Sequence, residues 1–155
     1  MKNSFRTGMW SIIFLLGLVW VRSGFEKIHS GTFPANLAKT LTYFASKNPY
    51  PWFKPLLLTV AIPQSRLIGM CVQWSELLTG VVLTLGTLLY FFVLKGNRLI
   101  LAIVLIALLV SAAMNTFFWL AAGWTGPSAD DLNLFMIGVA AILFVTLLFQ
   151  QKLSL

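Results

Sequence analysis

Four long apolar segments divide the sequence, at residues of about 8–28, 66–92, 98–122 and 131–150. A helix needs about 20 apolar residues to cross the hydrocarbon of a bilayer, so each segment is long enough to span it. Apolar residues make up 59% of the chain and charged residues 10%, whereas soluble domains are roughly half apolar and a quarter charged. The strict alternation of a membrane β-barrel is missing. These features predict an all-α integral membrane four-helix bundle that forms one domain over residues 1–155.

The longest connection between the apolar segments, residues 29–65, is expected to form a lid over the outer end of the bundle. Its first part places Leu37, Leu41 and Phe44 on one arc and Lys39 on the opposite one, which predicts a short helix lying in the membrane interface. Its second part, residues 51–63, has only about a dozen residues, too few to span the bilayer. This part is therefore predicted to be a re-entrant or surface segment.

The net charge of +7 comes from basic residues near the ends of the predicted spans, where Lys and Arg anchor helices at the headgroups. This distribution favours the lipid bilayer as the partner and argues against nucleic acid. The bases at one end of the bundle are Lys2, Arg6, Lys95, Arg98 and Lys152. Because short basic loops mark the cytoplasmic side, we expect both termini in the cytoplasm and the protein in the cytoplasmic membrane. Four further bases in and beside the lid nearly balance that count.

Charged residues interrupt the end of the first apolar segment, in the stretch VRSGFEKIHSG at residues 21–31. On a helix, Arg22 and Glu26 lie one turn apart on one face. Glu76 follows the start of the second segment by about ten residues, hence roughly 15 Å into the hydrocarbon, where a lone carboxylate is costly. It needs a proton or a cationic partner, because an unpaired buried charge is strongly destabilising. We expect Arg22 to be that partner, and Arg22 and Glu76 are the candidate catalytic residues.

Further polar or aromatic side chains are expected at the same depth, in the outer half of the bundle. The candidate ligand-binding residues are Glu26, Lys27, Gln73, Trp74, Asn115 and Asn133. Polar residues that only join helices are expected at scattered depths, so their gathering favours a polar pocket that opens outward under the lid. The alternative, that these groups serve only to hold the helices together, stays open.

Residues suited to a metal, haem or iron–sulfur site are scarce. The only histidine is His29 and the only cysteine is Cys71. They are about forty residues apart, a spacing that matches no zinc, haem or iron–sulfur ligand pattern. We therefore predict no metal or haem.

Several motifs of the chain resemble the DoxX/DoxD family of membrane proteins, and particularly its DoxD branch. They are the stretch from Arg22 to Lys27, the Asn-Pro and Ile-Pro pairs of the lid, Glu76 with the leucines and glycines that follow it, and Gly123 with Asn133. The resemblance covers nearly the whole chain. It implies a four-helix membrane subunit of thiosulfate:quinone oxidoreductase, which couples the oxidation of thiosulfate to tetrathionate to the reduction of quinone. It also implies a second, DoxA-like subunit as partner.

The resemblance and the polar cluster lead to a hypothesis in which a quinone is the substrate. Arg22 and Asn115 are candidates to donate hydrogen bonds to its oxygens, and Glu76 is a candidate to relay protons. Lys27 and Arg66 are expected to draw an anion such as thiosulfate to the outer mouth. The alternative is a non-catalytic accessory subunit that stabilises a larger respiratory or photosynthetic membrane complex, with Arg22 and Glu76 as a structural pair.

Overall fold

The computed structural model describes the backbone of residues 2–93 and 97–152 and the side chains of residues 4–93 and 97–149. These residues form helices joined by short irregular connections, with no β-strand among them. The helices long and apolar enough to cross a membrane are Ser4–Ser30, Ser65–Val93, Arg98–Thr125 and Pro127–Phe149. The predicted all-α bundle with four candidate spans is confirmed, and these spans indicate a multi-pass membrane protein.

Six helices make up the described chain: α1 (Lys2–Ser30), α2 (Phe33–Lys47), α3 (Lys54–Leu56), α4 (Ser65–Leu88), α5 (Arg98–Ala122) and α6 (Pro127–Lys152). A π-helical turn follows α3 at Leu57–Ala61, and another follows α4 at Leu89–Val93. Along the bundle α1 packs against α4, α4 against α5, and α5 against α6. Buried apolar side chains from all four long helices, among them Ile13, Leu83 and Leu108, form one continuous core.

Glycines let α1 and α4 approach each other closely. A Cβ atom added to Gly24 would lie 2.5 Å from the backbone nitrogen of Leu77, and one added to Gly17 would lie 2.5 Å from Thr84 Oγ1. From the other side, a Cβ on Gly80 would meet backbone atoms of α1. Small residues of this kind allow two membrane helices to pack backbone against backbone. The contact fixes the register of α1 against α4, and with it the residues that face each other further along the two helices.

The connection between α5 and α6 is shorter than the gap between the predicted spans 98–122 and 131–150. Gly123–Thr125 is a 3-10 turn, and α6 already begins at Pro127. Proline suits the first turn of a helix because the N–H that it lacks would have no partner there. Asp130 lies in that first turn, where the helix dipole favours a negative charge. In the connection between the predicted spans 66–92 and 98–122, residues 94–96 lie outside the described residues.

The lid contains α2, α3 and the π-helical turn that follows α3. Leu37 and Leu41 are buried and Lys39 is exposed, so the predicted inner face of α2 is confirmed. With Phe53 and Leu57 they form a second apolar cluster, which packs on the neighbouring ends of α4 and α5. The lid is thus held on the bundle by apolar burial.

Candidate functional site

A cavity of about 550 Å³ lies between the lid and the facing sides of α4 and α5. On α4 its wall is formed by Ile68, Val72 and Glu76, which are spaced four residues apart and therefore share one helix face. On α5 the wall includes Phe117 and Phe118. The lid contributes mainly leucine and phenylalanine side chains. We call this space the lid cavity.

The polar end of the lid cavity is an ion pair between Lys27 on α1 and Glu76 on α4. Lys27 Nζ lies 2.6 Å from Glu76 Oε2 and 2.7 Å from Oε1. The side chain of Glu76 is 1% exposed and that of Lys27 is 25% exposed. Ser23 Oγ donates a hydrogen bond of 3.0 Å to Glu76 Oε2 and accepts one of 2.9 Å from Lys27. Both charges are therefore paired and hydrogen-bonded, as burial in an apolar setting requires.

The ammonium group of Lys27 also faces an aromatic ring of the lid. Its Nζ atom lies 5.3 Å from the centroid of the Phe33 ring, within the range of a cation–π interaction. Phe33 begins α2 and lines the lid cavity. The ion pair thus links α1, α4 and the lid at one point.

The predicted pairing of Arg22 with Glu76 is wrong. Arg22 Nε bonds Glu26 Oε1 at 2.9 Å on the surface of α1, where the two side chains are 82% and 62% exposed. Residues 22 and 27 are five positions apart, so their side chains leave the helix in directions about 140° apart. Lys27 faces α4 and Arg22 faces away from it. Lys27, expected only to bind a ligand, is the counter-ion.

One signal in the sequence does identify Lys27. Gly17, Trp20, Gly24 and Lys27 recur at intervals of three and four residues, which places them on one helix face. Because glycines mark the side of a membrane helix that meets a neighbour, the cation on that face is the one that reaches into the bundle. The charge pattern alone does not reveal this.

The remaining predicted site residues lie elsewhere. Trp74 is exposed on the surface of α4, and Gln73 is half-buried beside it. Asn115 is buried but donates to the backbone oxygen of Ser111 on its own helix, and Asn133 likewise bonds Ala129. None of the four is among the residues that line the lid cavity.

The cavity beneath the lid is therefore apolar rather than polar as expected. Apart from Lys27 and Glu76, Thr40 is the one polar side chain among its lining residues. Asn115 and Asn133 bond backbone oxygens of their own helices, whereas Gln73 Oε1 is buried without a hydrogen-bond partner. Such walls fit an apolar molecule that carries a polar group at one end. In the described part of the chain no three His, Cys, Asp or Glu side chains are placed to hold a metal ion.

Asn48 ties the lid to the end of α5. Its Nδ2 atom donates to the backbone oxygens of Leu120 at 2.9 Å and Ala121 at 3.4 Å, and its Oδ1 atom accepts from the backbone nitrogen of Tyr50. The last carbonyls of a helix have no partner within that helix. The side chain of Asn48 therefore donates to carbonyl groups that end α5, and it also accepts a bond from the turn between α2 and α3.

Replacing Asn48 with alanine is expected to loosen the lid. A hydrogen bond contributes about 1 kcal/mol, so amide hydrogen exchange in residues 49–62 should become about fivefold faster. The matched control is Asn36→Ala, on the exposed side of α2 in the same lid. Equal exchange in the two variants, measured by mass spectrometry of peptides from the lid, would show that Asn48 does not hold it.

Comparison of the chain with protein-family models, curated proteins and solved structures finds no match. The resemblance to the DoxX/DoxD family stays a prediction from the motifs.

Proposed function

We propose that this protein is the quinone-binding membrane subunit of a quinone-linked oxidoreductase, with the quinone ring in the lid cavity. The observation that carries the proposal is an apolar cavity whose buried end holds the Lys27–Glu76 ion pair. Its volume of about 550 Å³ falls in the range of roughly 300–1,000 Å³ that small-molecule sites occupy. A flat ring needs apolar walls and a few hydrogen-bonding groups to orient it, and both are present.

The two charged side chains have separate roles in this proposal. The Lys27 ammonium donates a hydrogen bond to a quinone oxygen, and the Glu76 carboxylate accepts one from a quinol hydroxyl. Reduction of a quinone takes up protons as well as electrons, so a carboxylate beside the ring oxygens is suited to proton transfer. Ser23, bonded to both Glu76 and Lys27, positions the pair. Arg22 and Asn115, expected to donate to the ring, have no part in this assignment.

The electron donor in the proposal follows from the family resemblance. Thiosulfate would be oxidised to tetrathionate on a second, DoxA-like subunit, and the electrons would pass to the quinone held by this chain. We propose the cytoplasmic membrane as its location, with both termini in the cytoplasm and the lid on the outer side. This orientation places the basic residues of the short connections on the cytoplasmic side.

Replacing Glu76 with glutamine is expected to weaken binding of the quinol by about tenfold or more, because a hydrogen bond to a charged group contributes ~1.5–3 kcal/mol. Glutamine keeps the size of the side chain and removes its charge. The measurement is the binding of a decyl-tailed benzoquinol, kept reduced under nitrogen, as the amount retained by phosphatidylcholine vesicles that contain the protein beyond the amount retained by protein-free vesicles.

The control for this test is Glu26→Gln, the same substitution in the exposed pair with Arg22. It should bind the quinol as the unchanged protein does. Equal affinity of the Glu76 and Glu26 variants would remove the ion pair from the proposed site.

A second candidate function, an accessory subunit of a larger respiratory or photosynthetic membrane complex, is favoured by the surface of α6. Only 22% of the apolar window of this helix is buried, compared with 44% for α5. Exposed apolar side chains on α6, such as Phe135 and Ile142, are available to lipid or to a partner helix. Isolation in mild detergent separates the two candidates: co-purifying quinone supports the first, and retention in a large complex without quinone supports the second.

A further inference from the structure

The lid cavity has a mouth whose rim is mainly apolar. Four of the side chains that line the cavity are exposed, and we take these four as the rim of its opening. Thr40, Leu56 and Val60 belong to the lid, and Phe117 belongs to α5. No charged side chain belongs to this rim, because Lys27 and Glu76, the only charged lining residues, lie at the buried end.

The mouth lies at a depth where the surroundings are hydrocarbon. Phe117 belongs to the apolar span Arg98–Thr125 and precedes its end by eight residues, or about 12 Å. Leu58, two residues after Leu56 in the lid, is also exposed. In a membrane protein, exposed apolar side chains within a span face lipid rather than water. The mouth therefore opens sideways toward the bilayer.

The side of the cavity beneath the lid is closed by packed apolar side chains. Leu37 and Leu41 of α2 and Phe53 and Leu57 further along the lid are all buried, and they form one cluster with the ends of α4 and α5. A water-soluble ligand would have to displace this cluster, whereas a ligand dissolved in the bilayer would reach the mouth directly.

The charge at the buried end limits the head group of the ligand. An anionic head would meet the carboxylate of Glu76, which is buried and paired, and a cationic head would meet the ammonium of Lys27, which is paired and 25% exposed. An uncharged head adds no charge to the pair. It accepts a hydrogen bond from Lys27, whose ammonium now donates to Ser23 and to both oxygens of Glu76, or it donates one to Glu76.

We infer that the lid cavity takes an uncharged, single-tailed amphiphile directly from the bilayer. The head group reaches the Lys27–Glu76 pair, and the tail leaves through the mouth between Val60 and Phe117. The inference rests on the proposed function in that both place the head group at this ion pair. It adds the class of ligand, the route of access and the residues that control that route.

Three probes separate the route from the identity of the head group. They are a decyl-tailed benzoquinone, tetramethylbenzoquinone as the tail-less ring, and decanol as a tail with a hydroxyl head. Every carbon of the tetramethyl ring is substituted, which protects it from attack by the exposed thiol of Cys71. Association of the two quinones with protein in phosphatidylcholine vesicles is followed by quenching of tryptophan fluorescence. Decanol is detected by its competition with the tailed quinone or by direct mass spectrometry of the purified protein.

Two pairs of variants test the mouth. Val60→Phe narrows it, and its control is Val145→Phe on the exposed surface of α6; the two valines are 40% and 48% exposed. Phe117→Ala widens it, and its control is Phe135→Ala, also on α6; these phenylalanines are 57% and 67% exposed. Added bulk in a confined passage is expected to slow association of the tailed probe by about tenfold in Val60→Phe. Phe117→Ala should speed it, and both controls should leave it unchanged.

The outcomes distinguish this inference from the proposed function. If decanol binds, Val60→Phe slows its association, and the tailed quinone does not bind, then the route stands and the quinone assignment fails. If the tail-less ring binds as tightly as the tailed one and Val60→Phe changes neither rate, the quinone assignment stands and the route is overturned. Failure of all three probes to bind would overturn both.

Discussion

Replacing Lys27 with methionine is expected to lower the free energy of unfolding by about 3 kcal/mol, the cost of leaving one member of a buried ion pair without its partner. Methionine keeps the length of the side chain and removes the ammonium group. Glu76 would then hold its charge with only Ser23 as a hydrogen-bond donor, or take up a proton at a cost to stability. Unfolding in mixed micelles, followed by circular dichroism, measures the change.

The control for this variant is Arg22→Met, which breaks the exposed pair with Glu26 on the same helix. Surface ion pairs contribute little because water screens them, so the unfolding midpoint should stay where it is. If both variants unfold alike, Glu76 does not depend on Lys27.

The double variant Lys27→Met with Glu76→Met shows whether the pair serves only to hold the helices. Replacing a buried ion pair with apolar residues of similar volume is often neutral or stabilising, so most of the lost stability should return. Binding of the tailed quinone should not return, because both proposed hydrogen-bonding groups are gone. A double variant that is stable and still binds quinone would make the pair a structural contact alone.

The spans and the lid helix were predictable because their signals are strong and local. About 20 consecutive apolar residues have few alternatives to a membrane helix, and the arc that holds Leu37 and Leu41 follows directly from the helical period. The depth predicted for Glu76 came from the same arithmetic, and its side chain is buried within the bundle. These features depend on the position of a residue along one helix.

The partner of Glu76 was not predictable from depth, since Arg22 and Lys27 are about 7.5 Å apart along α1 and both side chains are long. The choice depends on how far α1 is rotated about its axis, and the glycine contacts with α4 set that rotation. The walls of the lid cavity were missed for a related reason. Polar residues do not mark these walls, because the cavity is formed by leucines and phenylalanines of the lid and α5, which in the sequence cannot be told from lipid-facing ones.

The close approach of α1 and α4 leads to a second large effect, at Gly80. A Cβ atom there would meet the backbone nitrogen of Val21, and would lie 2.8 Å from the backbone oxygen of Gly17 and 2.8 Å from the carbonyl carbon of Trp20. These obstacles are backbone atoms, which cannot rotate aside as a side chain can. The two helices must separate to admit even a methyl group.

Gly80→Ala is therefore expected to destabilise the protein by about 2–3 kcal/mol, at the upper end of the cost of overpacking. Gly138→Ala on α6 is the matched control, because a Cβ added there has nothing within 4 Å. Alanine forms helices better than glycine, so this control should unfold at the same temperature as the unchanged protein or slightly above it. Both are measured by thermal unfolding in detergent.

Separation of the two helices should also reach the lid cavity. Gly80 lies one turn from Glu76 on α4, so moving α1 away draws Lys27 from the carboxylate and disturbs the polar end of the site. Gly80→Ala should consequently weaken binding of the tailed quinone, and Gly138→Ala should not. A Gly80→Ala protein as stable as its control would mean that α1 and α4 do not approach as closely as these glycines allow, and that the glycine contact does not set the partner of Glu76.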